Sequence, residues 1–144
     1  MYIEDIKVGQ QFNLEPIKVK EEDVLEFAKK YDPQRIHTDH EFAKQGMFKG
    51  IIASGYQTIG LVWSKWIEAD ILGDEVIAGT GVDQIRWTKP VYPNDILIGH
   101  VEAINKRLSS RGGKGTVTFS FIINNQNKET VTTFSIDVLL KSRE

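Results

Sequence analysis

Cysteine is absent from this chain of 144 residues. That excludes a disulfide scaffold, a thiolate nucleophile and a cysteine-built zinc site. Neither sign of charge dominates: 18 basic residues stand against 20 acidic ones, a net charge of −2. The chain therefore offers no electrostatic footprint for nucleic acid or for an anionic membrane surface. Long unbroken apolar runs are missing as well. The most apolar region, Gly50 to Ile67, is interrupted by Ser54, Gln57, Ser64 and Lys65 and is too short and too polar to span a membrane. Met1 to Asp5 shows no basic stretch followed by an apolar one, so no secretory signal is expected and the cytoplasm is the expected location. Linkers, repeats and low-complexity segments are also lacking, and one domain over residues 1–144 is expected. What is present, 40% hydrophobic and 26% charged residues, is the composition of a chain that builds a core rather than one that stays disordered.

The periodicity changes along the chain. Residues 11–19 read as a short edge strand, where Pro16 is tolerated because an edge need not donate every ladder hydrogen bond. From Glu21 to Tyr31 the spacing becomes helical: Val24, Phe27, Ala28 and Tyr31 fall on one face. Glu21, Glu22 and Asp23 at the start and Lys29 and Lys30 at the end suit the helix dipole. Asp32-Pro33 ends that helix. Thr38 or Asp39 is placed to cap a short helix over Glu41–Gln45, and Gly46 and Gly50 bracket a loop. Residues 51–67 form the longest helix expected, apolar around most of its circumference and so expected to be buried on most sides. The C-terminal half then offers four strand-like runs, at about 76–89, 95–107, 115–125 and 129–141. Val117, Phe119, Phe121 and Ile123 alternate with polar residues in the third, and Phe134, Ile136, Val138 and Leu140 do so in the fourth. Gly99 is a candidate bulge or bend. The expected class is α+β: a curved antiparallel sheet wrapped around a long central helix.

Chemistry concentrates at Tyr31-Asp32-Pro33-Gln34-Arg35-Ile36-His37, which sets a carboxylate and an imidazole five residues apart. Both are expected on an ordered loop, a place suited to an acid/base pair holding one water between its members. Two coupled groups titrate as a unit, and the sequence alone leaves open which is base and which is acid. His37-Thr38-Asp39-His40-Glu41 has no recognised zinc spacing, and no metal is expected. Trp63 and Trp66 read as core or dimer contacts. Arg107, Arg111 and Lys114 read as a solvated basic loop, and His100 as structural.

Three local patterns, in order, resemble the MaoC-like, or R-specific enoyl-CoA hydratase, branch of the hotdog fold. Tyr31 to Asp39 is similar to that family's Asp-x-Asn-Pro-x-His signature. Gly50-Ile51-Ile52-Ala53-Ser54-Gly55 is similar to the start of its central helix. Ile85 to Val91 with Pro93-Asn94-Asp95 is similar to its first long strand and the turn that follows. With the order of elements, the likeness covers nearly the whole chain. There are departures. Gln34 stands for the usual Asn, Arg35 for the usual Pro, and a Pro has moved to position 33. Ser54 stands where the family often has His, and Trp63 where some members have a Ser that orients the catalytic His.

The resemblance implies a hydratase/dehydratase that adds water to, or removes it from, an acyl-CoA or acyl-carrier thioester, in a homodimer or dimer of dimers. Asp32 and His37 would be catalytic. Ser54 and Gly55 would bind substrate, with the Gly55 backbone N–H as oxyanion donor. The coenzyme A thioester would be the substrate and no other cofactor would be needed. A hotdog thioesterase and a non-catalytic acyl-thioester-binding protein are the alternatives. Against the thioesterase, the first carboxylate on the central helix is Glu68, at its far end. Against the binding protein stands the intact Asp32/His37 pair.

Overall fold

Alternation in the C-terminal half produces the sheet. In a computed structural model that describes all 144 residues, β3 (Val76–Trp87), β4 (Ile96–Leu108), β5 (Lys114–Asn124) and β6 (Thr130–Lys141) are joined in antiparallel pairs. Two short N-terminal strands, β1 (Gln11–Asn13) and β2 (Ile17–Lys18), both pair with β4. The sheet runs β1-β4-β5-β6-β3, so one side of β3 is an unpaired edge. The single edge strand expected over 11–19 is thus split. The Leu14 amide still donates to the Gly99 carbonyl of β4, but Glu15 and Pro16 break the ladder, in keeping with the donor that proline lacks.

Register brings the inward residues opposite one another. Phe119 faces Ile136, Phe121 faces Phe134, and Val117 faces Val138, all buried. Phe121 and Phe134 stack with centroids 4.8 Å apart, and Trp66 meets Phe121 edge-on at 5.8 Å and Phe119 at 5.1 Å. These contacts hold the concave face of the sheet against the central helix. Gly99 does not mark a bulge: it pairs in register with Ile123, and the irregularity in β4 lies between Ala103 and Asn105. Gly99 instead leaves room for Leu14, whose Cδ1 would lie 2.9 Å from a Cβ there.

Helices follow the charge and capping signals. The first helix, α1 (Glu21–Tyr31), has its acidic residues in the first turn and its lysines in the last. It buries Val24 and Ala28, whereas Tyr31, at the end of the expected face, is 68% exposed. Pro33 restricts Asp32 to non-helical backbone, and the helix stops there. A one-turn helix, α2 (Arg35–Thr38), carries His37, which is therefore not on a loop as the sequence suggested. Asp39 caps α3 (His40–Lys44) by accepting from the Phe42 amide at 3.0 Å.

The central helix, α4, spans Gly55–Glu68 and starts four residues later than the apolar pattern predicts. Ile51 to Ala53 are not helical. The Ile52 amide donates to the Ile36 carbonyl and the Ala53 amide to the Val91 carbonyl. Tertiary pairing, not helix, explains why this stretch is apolar and buried. Within one chain α4 buries Gln57, Thr58, Val62 and Trp66, while Tyr56 and Ile67 are exposed. The helix is covered on one side rather than on most sides.

Candidate active site

A cleft of about 430 Å³ opens where α1, α2, the start of α4 and the end of β3 meet, and Asp32, His37 and Gly55 all line it. Three local features bring them there. Pro33 turns the chain out of α1 directly after Asp32. The single turn of α2 then swings His37 back toward that carboxylate. The segment 51–53, tied by its amides to Ile36 and Val91, delivers the N-terminus of α4 to the same point.

His37 Nε2 lies 3.3 Å from Asp32 Oδ2, and the two side chains are only 6% and 14% exposed. The two groups touch, so a water cannot sit between them and must bridge from beside the pair. The opposite ring nitrogen, Nδ1, is 2.6 Å from the Ile52 carbonyl oxygen. A carbonyl only accepts, so Nδ1 carries the hydrogen and donates it. The position free to gain or lose a proton is therefore Nε2, facing Asp32.

Asp32 is held from both sides. Gln34 Nε2 donates to Oδ1 at 2.8 Å, and Ser54 Oγ donates to Oδ2 at 2.7 Å. Burial alone pushes the carboxyl upward, but the hydrogen bonds from Gln34 and Ser54 and the nearness of His37 outweigh it. The group is held below the ordinary carboxylate range. It is a carboxylate at neutral pH.

Ser54 occupies the N-cap position of α4 and is completely buried, yet its hydroxyl makes no cap bond to the helix. It is turned to Asp32 and does not line the cleft. The Ser54 carbonyl accepts from the Gln57 and Thr58 amides, while the Gly55 and Tyr56 amides have no partner within the chain. Two free donors at the positive end of a helix dipole suit a developing negative charge. Gly55 is also pressed against Trp87: a Cβ at position 55 would lie 2.2 Å from Trp87 Cε2. The glycine makes room for this indole, which packs edge-on to Tyr56 at 5.3 Å.

The remaining wall includes Phe48, Thr58, Lys89 and Thr132. None was singled out from the sequence as a site residue. Trp87 and Lys89 lie within the Ile85–Val91 pattern, but nothing local marks them as cleft residues. No group of three or more His, Cys, Asp or Glu side chains is arranged to hold a metal ion. His100 bonds Asn13 at 2.9 Å and ties β1 to β4, the structural role expected of it. No helix is long and apolar enough to cross a membrane.

The chain as a whole is similar to known proteins. Residues 5–125 match the family model described as MaoC like domain. An uncharacterized protein of Bacillus subtilis, YdeM, is 38% identical over 141 residues, spanning 98% of this chain and 99% of its own length. The MaoC-like dehydratase from Rhodospirillum rubrum superposes with a TM-score of 0.91 at 27% identity, covering 100% of this chain and 99% of the other. A structure from Archaeoglobus described as a monoamine oxidase regulatory protein also has a TM-score of 0.91. It is 29% identical, and the match covers 100% of this chain and 96% of that one.

Proposed function

Because the chain belongs to the MaoC-like domain family and has the hotdog fold, we propose that it is an acyl-thioester hydratase/dehydratase, of the (R)-specific enoyl-CoA hydratase or 3-hydroxyacyl dehydratase type. The observation that carries this reading is the contact between the Asp32 carboxylate and His37 Nε2, set in a cleft beneath the free amides of α4.

In the hydration direction, the thioester oxygen lies against the Gly55 amide, with Tyr56 N–H alongside. These donors take up the charge that develops as the enoyl group becomes an enolate. A water beside the pair gives a proton to the Asp32 carboxylate as its oxygen bonds to C3. His37, protonated at Nε2, delivers a proton to C2. Asp32 is then protonated and His37 neutral, and transfer across their contact restores the pair. The net change is one water added across C2–C3. Dehydration runs the same steps backward. The low-lying Asp32 favours this division of labour over the reverse one, in which a protonated Asp32 would act as acid.

On this reading the coenzyme A or carrier thioester is the substrate, no further cofactor enters, and the enzyme works in the cytoplasm. The protein is a homodimer or dimer of dimers, formed through the free edge of β3, whose residues are mostly exposed. The thioesterase alternative finds little support. Glu68 sits at the far end of α4, where it engages Ser64 and Lys65.

The test is an assay with crotonyl-CoA that follows the conjugated thioester and free thiol separately. Loss of conjugation without thiol release is expected. Thiol release would make the protein a thioesterase, and binding with neither change would make it an acyl-thioester carrier.

A further inference from the structure

A serine at the N-cap of a 14-residue helix ordinarily turns its hydroxyl onto an amide of the first turn. Ser54 does not. It is fully buried, makes no cap bond, and spends its hydroxyl on a carboxylate 22 residues earlier in the chain. Gln34 approaches the same carboxylate from the other side, two residues after it and on the surface of the cleft. The two donors divide the carboxylate between them: Gln34 takes Oδ1, while Ser54 takes Oδ2, the oxygen that also faces His37.

We propose that Ser54 and Gln34 are positioning residues that act together on Asp32, fixing the plane of its carboxylate so that Oδ2 stays against His37 Nε2. The inference rests on the reading of Asp32 as the group that takes the proton from water. A carboxylate is free to turn about its last bond, and a terminal torsion of this kind is broad. One donor per oxygen removes that freedom. It also leaves the remaining lone-pair directions of the carboxylate for a water. Had the Ser54 hydroxyl capped α4, it would have consumed one of the first-turn amides and left Oδ2 with His37 alone. Its present direction keeps the helix end open and the carboxylate fixed.

The experiment compares Ser54→Ala, Ser54→Thr and Gln34→Ala with wild type, using crotonyl-CoA turnover, its pH profile, and the titration of the Asp32 carboxyl followed by carbon NMR. Ser54→Ala and Gln34→Ala should each lower kcat by about 10–100-fold, the range one hydrogen bond to a charged group supplies, with KM little changed. The acid limb of the profile should move to higher pH, because a carboxyl that loses a donor binds its proton more readily. His37 on α2, Tyr56 on α4 and Lys89 after β3 are the other titratable groups lining the cleft, and all remain in each variant. Ser54→Thr keeps the hydroxyl and should recover most of the rate.

An unmoved Asp32 titration in both alanine variants, or a rate that Ser54→Thr fails to restore, overturns the inference while leaving an active wild type intact. An inactive wild type with an Asp32 titration that still rises in the variants sinks the hydratase reading but upholds the positioning contacts. Gln34 is exposed, so Gln34→Ala carries the test if Ser54→Ala does not fold.

Discussion

Asp32→Asn and His37→Ala should both slow turnover by orders of magnitude, but they should separate in stability. Asp32→Asn preserves shape. Its amide oxygen can accept from Gln34, and its NH₂ can donate to a neutral His37 Nε2 and to Ser54 Oγ, so that only the Ser54 hydroxyl hydrogen loses its acceptor. His37→Ala removes a buried ring and strands the Ile52 carbonyl, which receives the 2.6 Å bond from Nδ1. An unsatisfied buried polar group costs about 1–3 kcal/mol, which at this chain length is a fall in Tm of several degrees. On turnover, each change should cost about 10²–10⁴-fold, the range for general acid–base catalysis, or roughly 2.7–5.4 kcal/mol of barrier. The double variant should be little slower than the slower single one, because the pair acts as a unit. There is also a pH signature. Asp32 titrates below its unfolded value, so its contribution to stability is present above the ordinary carboxylate range and is lost as pH falls through the folded value. The Tm difference between wild type and Asp32→Asn should therefore shrink toward acid pH. Steady-state hydration of crotonyl-CoA and thermal melts from acid to neutral pH make the comparison. Active enzyme in either single variant, with a lowered Tm, would refute the reasoning and make the two residues structural.

Gly55→Val should lower both stability and activity, because its side chain meets the Trp87 indole. Adding Trp87→Ala should restore the melting temperature but not the rate, and a wild-type rate in Gly55→Val alone would remove the oxyanion assignment. Light scattering at micromolar concentration should give at least twice the chain mass, and Val82→Pro on the exposed edge strand should shift it toward the monomer; a monomer mass for wild type counts against the assembly. Thr58 and Thr132 are buried in the cleft wall, on the same helix and strand that carry Trp66 and Phe134 into the packed core. A series of enoyl-CoA substrates should therefore show kcat/KM falling with chain length beyond the short members, and a preference for long chains would show that the acyl group takes another path.

The strands and the first helix were legible because their signals are local. Alternation places Val117 to Ile123 and Phe134 to Leu140 inward with no knowledge of their partners, and the charges of Glu21 to Lys30 mark both ends of α1. The start of α4 was not legible. Ile51 to Ala53 are buried and tied by their backbone to Ile36 and Val91, and periodicity does not distinguish a buried irregular segment from a helix turn. Asp32 and His37 were visible as a pair, but their direct contact was not. Nor was the use of Ser54, whose partner lies across a fold that brings α1 and α4 together. A serine before a helix reads locally as a cap, and only the tertiary arrangement turns it elsewhere.

The bond from His37 Nδ1 to the Ile52 carbonyl also bears on how the site tolerates change over generations. Proton bookkeeping at the imidazole is set by a main-chain oxygen, which every one of the twenty residues would supply at position 52. Substitution there alters packing but not the atom that orients the ring. Drift at this position is therefore shielded from the chemistry, in contrast to an orienting side chain that one codon change could delete. The vulnerability is one of length. Inserting or removing a residue between His37 and Ile52 would shift the carbonyl out of reach, so the loop through Gly46 and Gly50 should accept new residues more readily than a new count of them.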